Sequence, residues 1–174
     1  MTPLEFLQQY HGEEVALPEE CLRELEAPSF RAQVLDAIHR RPEVEASGLL
    51  RVLLDVEVDY WRRVDQAGAY TDENSEFFEN IYWCAFLLWR TGDVRDVLAL
   101  WRAKHTTFDT FCGLDAQYLV GAGVEETIAY LRESSEAEAK PALKYLLEGR
   151  KSGAFDLLEK WAQHKSTYFG GAAE

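Results

Sequence analysis

In LLRVLLDVEVDYWRRV, residues 49–64, the apolar positions Leu49, Leu53, Val56, Tyr60 and Val64 recur at steps of three and four. That spacing lays them along one stripe of an amphipathic helix. The segment DVEVD inside it alternates as a short strand would, but the flanking pattern outweighs five residues. Upstream, Pro28 followed by SFRAQVLDAIHRR and then Pro42 frames another helix of about three turns, because proline is tolerated in a first turn and stops a helix further on. Residues 1–65 are therefore expected to form a set of short N-terminal helices.

From residue 73 the pattern changes character. Asn74 or Ser75 is expected to cap a helix that carries Glu76 and Glu79 in its first turns, where negative charge favours the dipole. The run that follows, IYWCAFLLW at 81–89, is apolar all round, which places it at the centre of a domain with neighbours on several sides. Gly92 and Asp93 then read as a helix stop and a new N-cap. In VRDVLALWRAK beyond them, Val94, Val97, Leu98 and Trp101 make one apolar face, which completes a two-helix hairpin. Similar arrangements recur at QYLVGAGVEETIAYLRE and KYLLEGRKSGAFDLLEKWAQ. In ESSEAEAKPALKYLLEGRK, Ser135 and Glu138 match a capping box, with Lys140, Lys144 and Arg150 toward the carbonyl end.

Gly92, Gly123 and Gly153 lie 31 and 30 residues apart, with Val97, Ile128 or Leu158 five residues after each and Leu100, Leu131 or Trp161 eight after. A period near 30 built from paired helices marks an array in which each unit buries its face against its neighbours. The expected fold class is all-α: helical hairpins packed as a short HEAT-like array or as an irregular α-bundle. One domain is expected over 1–174, with helices to about 65, hairpin repeats over 73–165 and a flexible tail at 168–174, part of the small-residue close STYFGGAAE.

Charge narrows the function. Eighteen Lys and Arg against 31 Asp and Glu leave a formal net charge of −13, which repels nucleic acid phosphates and anionic lipid and suits either plain solubility or a basic partner. Cys21, Cys84 and Cys112 are odd in number and lack metal-ligand spacing, as in a reducing compartment. The opening MTPLEFLQQYHGEE has no basic and apolar leader pattern, and the longest apolar run is about half the roughly 20 residues of a membrane span. A cytoplasmic protein without membrane or nucleic acid partners is expected.

Two stretches gather reactive side chains. In KHTTFDTFCGLD, residues 104–115, His105, Asp109 and Cys112 are four and three apart and would share a helix face. The intervening Thr106, Thr107 and Thr110 disfavour a helix interior, Gly113 ends any helix, and no second ligand pair exists elsewhere. Packing explains the stretch more fully: Phe108, Phe111 and Leu114 fold inward, Asp115 caps the next helix, and Lys104 and His105 complement the preceding helix end. Asp109 is left over by that account. In AYTDENSEFFEN, Tyr70, Asp72, Glu73, Glu76 and Glu79 stand beside Phe77 and Phe78, a set suited to a basic protein surface, where aromatic anchors carry energy and charges set the approach. Motifs such as GxSxG, HExxH, GxxxxGK[ST] and a strand-borne GxGxxG do not occur. No catalytic residue, metal ligand or cofactor is assigned.

The hairpin segments FLLWRTGDVRDVLALWRAK and VGAGVEETIAYLRE, together with the net charge, resemble the small acidic helical proteins of bacteria, including toxin immunity proteins. The resemblance spans the C-terminal two thirds and transfers no functional residue. It implies a binding module, monomer or homodimer, whose acidic and aromatic face covers the basic groove of a toxin or effector enzyme. Tyr70, Asp72, Glu73, Glu76, Glu79 and Asp109 are the expected contacts. The alternatives are a carboxylate- or metal-dependent enzyme with its site between helices, and a self-associating scaffold.

Overall fold

The apolar stripes become helices throughout the computed structural model, which describes residues 1–170. The N-terminal part contains α1 (Pro3–Gln9), α2 (Glu19–Glu24), α3 (Pro28–His39) and the long α4 (Ser47–Ala67). After α5 (Asp72–Ser75) come α6 (Asn80–Thr91), α7 (Val97–Lys104), α8 (Phe108–Gly113), α9 (Val124–Glu133), α10 (Ala139–Lys151) and α11 (Leu158–Gly170). Short 3-10 turns at Val94–Asp96 and Ala116–Leu119 lead into α7 and follow α8. The fold is all-α, with no strand among the described residues.

DVEVD is helical because its flanks are. The buried face of α4 is wider than the stripe read from its sequence: Leu49 and Leu53 are joined by Leu50, Leu54, Val58 and Trp61, and Glu57 is sealed among them. Glu57 receives the fully buried Arg31 of α3 in a two-pronged pair, Nε to Oε1 at 2.6 Å and Nη2 to Oε2 at 3.2 Å. Trp61 Nε1 donates to the same carboxylate at 2.9 Å, and Arg31 Nη1 donates to the carbonyl of Leu25 at 2.7 Å. Every arm of the pair is occupied. The network therefore orients α2, α3 and α4 relative to one another instead of leaving a buried charge unpaired.

The helix from 81 to 89 lies at the centre, as an all-round apolar segment must. α6 packs on α4 and α3, with α7 and the 116–119 turn beside it. Cys84 donates to the carbonyl of Leu50 at 3.3 Å, and burial pushes its thiol pKa well up, so it is a packing group. Gly92 follows α6 with φ +70, and Asp93 accepts from Arg95 N at 2.9 Å to start the next turn. Asp93 and Asp96 also hold Arg51 of α4, at 2.7 and 2.6 Å. Gly123 and Gly153 likewise have positive φ, each ahead of the next helix.

Several local expectations are corrected. Thr71, not Asn74 or Ser75, is the cap, and it starts only the one-turn α5 through a reciprocal pair with Asn74 at 3.1 and 3.0 Å. Ser135 caps nothing: α10 begins at Ala139 after Glu138, which has no side-chain cap bond. Residues 168–170 of the expected tail are helical, because α11 runs to Gly170 and the Phe169 ring stacks on Trp83. The rest of the expected tail, 171–174, lies outside the described residues.

Candidate protein-binding face

The site begins with the local chemistry of the polar corner KHTTFDTFCGLD, residues 104–115. Thr107 Oγ1 accepts from the backbone N–H of Thr110 at 3.2 Å, and Thr110 Oγ1 accepts from that of Thr107 at 2.9 Å. This reciprocal cap builds α8 from the threonines that disfavour a helix interior. Lys104 closes the other end. Its buried ammonium donates to the carbonyls of Phe111 and Leu114, and burial lowers its pKa. Lys104 thus serves the helix after it, whereas His105 serves the one before, its Nδ1 lying 2.9 Å from the Trp101 carbonyl.

With Thr110 on the inner side of α8, the phenylalanines point the other way. Phe108 is 78% exposed and Phe111 50%, and only Leu114 of the expected inward trio is buried. The physical reason is that a helix of under two turns has one buried face, and the cap and the lysine occupy it. Asp115 precedes the next turn but makes no side-chain cap bond. His105 and Asp109 both face solvent. No group of three or more His, Cys, Asp or Glu able to hold a metal occurs among the described residues.

Tyr82 joins this corner to the acidic segment. Its hydroxyl donates to the Asp109 carbonyl at 2.9 Å, and a Cβ added at Gly113 would come within 2.5 Å of that hydroxyl, so only glycine admits the approach. Burial, with the charges of Asp109 and Glu79 behind it, pushes the Tyr82 phenol up to about 12. Phe78 meets Tyr82 edge-on and Trp61 likewise, while Tyr70 stacks over the buried Trp61 ring at 6.2 Å. Tyr70 is 42% exposed and donates to Asp65 at 2.9 Å. Its phenol is pushed up to about 12 by burial first and then by Asp65 and Asp109.

Glu79, Tyr70 and Asp109, remote in sequence, therefore gather around one aromatic stack. Asp72, Glu73 and Glu76 stand exposed in the loop that Thr71 and Asn74 shape. None of Asp72, Glu73, Glu76, Glu79 or Asp109 takes part in an ion pair among the described residues. Glu79 accepts instead from the Tyr168 hydroxyl of α11. The result is a surface of carboxylates without an ion-pair partner among the described residues, and of exposed rings, around the Trp61–Phe78–Tyr82 stack. Phe108, Phe111 and Tyr82 are its members that sequence reasoning missed; the available signal was the Thr-x-x-Thr spacing, which turns α8 over.

Comparisons with protein-family models, curated proteins and solved structures found no match to this chain. No helix among the described residues is long and apolar enough to cross a membrane.

Proposed function

We propose that this chain is a cytoplasmic protein-binding module, in its most concrete form an immunity protein that covers the basic groove of a toxin or effector enzyme. The observation that carries this reading is Phe108, a large apolar ring standing 78% exposed next to Asp109, a carboxylate with no ion-pair partner among the described residues, on the corner that Tyr82 ties to the acidic segment. An exposed aromatic anchor supplies binding energy, and the surrounding charge steers a basic partner and rejects an acidic one. Charge alone would serve solubility; a ring held outward by a dedicated cap and a buried lysine serves contact. The hairpins following Gly92, Gly123 and Gly153 are read as a short, degenerate HEAT-like array that supports the face.

The test is affinity capture from the native cell with three baits: the wild-type chain, Phe108→Ala, and the joint reversal of Asp72, Glu73, Glu76, Glu79 and Asp109 to lysine. A basic protein retained by the wild type should be lost from both variants, with helical circular dichroism unchanged and the Phe108→Ala unfolding free energy from urea denaturation within about 0.5 kcal/mol of wild type. Equal retention by all three baits overturns the assignment of the face.

A further inference from the structure

α11 is attached unlike any other long helix. It contributes no fully buried residue, and its backbone stays farther from its neighbours than those of the paired helices. It lies along α6 through rings: Phe169 stacks on Trp83 at 6.1 Å and on Phe86, and Trp161 meets Trp89 at 5.4 Å and Tyr118 at 4.9 Å. Lys165 sits 5.2 Å over the Tyr118 ring, and Tyr168 reaches Glu79. In a chain of net charge −13, this helix carries Lys160 and Lys165 against Glu159 alone, with His164 between.

The same layer holds an anomaly. His39 Nδ1, Trp83 Nε1, Trp89 Nε1, Tyr118 Oη and Trp161 Nε1 are the buried side-chain nitrogens and oxygens that find no hydrogen-bond partner among the described residues. All five belong to α11 or to its seat, since His39 packs on Trp83 and abuts Gly170. Tyr118 is fully buried, so its unpaired hydroxyl faces the interface with no route to solvent while α11 is down. Buried polar groups are ordinarily paired, and each unpaired one disfavours the closed arrangement. Five in one seam make that seam the place where the protein opens.

We infer that α11 is a displaceable strap seated in a docking groove, and that the groove's intermolecular occupant is a partner helix of the same chemistry, aromatic anchors alternating with lysine. α11 itself shows what the groove accepts: rings against Trp83, Phe86 and Trp89, a lysine over Tyr118, and a donor to Glu79. The seat continues into an open hollow of about 910 Å³ that includes Trp83, Leu4 and Phe77, so it reaches the acidic segment. Because Glu79 belongs to both surfaces, the inference deepens the binding reading above by naming the partner's element and what regulates access to it.

The experiment uses the full-length chain and a fluorescein-labelled peptide of sequence LLEKWAQHKSTYFG, residues 157–170. The double variant Trp161→Ala/Phe169→Ala, whose own strap is weakened, should bind the peptide in trans at least tenfold more tightly than wild type by anisotropy. Adding Glu79→Lys should reverse the gain. Amides of 158–170 in the wild type should exchange at least tenfold faster than those of 81–89. Absence of binding to a natively helical double variant overturns the inference, as does equal binding of a peptide with alanine at the Trp161 and Phe169 positions. If the double variant does not fold, equal protection of α11 and α6 in the wild type decides against it. No foreign partner enters this test, so its failure leaves the binding reading standing, and equal retention by all three capture baits, which overturns the face, leaves the strap standing.

Discussion

On the side of α6 that meets α4, small and branched residues are sealed without voids of polarity: Cys84 bonds to Leu50, and Asn80, Arg31, Glu57 and Trp61 all find partners. On the side that meets α11, large rings touch across the seam, and five polar atoms find no partner among the described residues. Both covers bury apolar surface, but only the first also completes its hydrogen bonds. The difference teaches that burial alone does not make a contact permanent: what separates a core from a removable cover is whether the polar atoms trapped with the apolar ones are paired.

The strongest way to break the first side is Arg31→Met. It removes the one cation that pairs with the sealed Glu57 carboxylate among the described residues and is expected to lower stability by about 3–5 kcal/mol, read as a large fall in the urea midpoint. The double change with Glu57→Leu should recover most of that loss, because the cost comes from the stranded charge. On the second side, Trp161→Ala is expected to cost about 1–2 kcal/mol, roughly half the value of fully burying a large apolar side chain. Amide exchange should show the loss confined to 158–170; a fall that spreads to α4 would erase the distinction between the two covers.

The smallest effect sharpens the comparison through pH. The Arg95 guanidinium beside it, backed by Arg51, holds the Asp93 carboxyl at about 2, below its ordinary value of about 3.8. A depressed folded value means that the contribution is complete above about pH 4 and fades as pH falls through about 2. Melting temperature measured from pH 5 to 2 should fall on the acid side, and Asp93→Asn should flatten part of that fall. The α11 seam should be insensitive to this substitution, since the Arg51 clasp ties α4 to the turn before α7 and does not touch the strap.

Parts of this molecule were readable in advance for local reasons. The period of α4, the proline at the start of α3 and the Gly92–Asp93 stop and cap are decided within a few residues by helix geometry and capping. The α8 corner was misread because hydrophobicity argued for inward phenylalanines, while a reciprocal threonine cap and a lysine ten residues from Leu114 took the inner face. Tyr82 could not be placed as a hub from its own segment, as the carbonyl it bonds lies in α8. Of the candidate face, the acidic residues were legible as composition; the gathering of Tyr70 and Glu79 with Asp109 around the Tyr82 ring was not.

By itself, the sequence determined an all-helical chain with a central apolar helix, a large negative charge, and carboxylates concentrated at 72–79, because periodicity, capping and net charge are sums over near neighbours. Tertiary structure decided which rings are left outside, which charge is sealed inside with its partner, and which helix lies over unpaired polar groups. Those outcomes depend on competition among residues far apart in the chain for the same interior volume and the same hydrogen-bonding atoms.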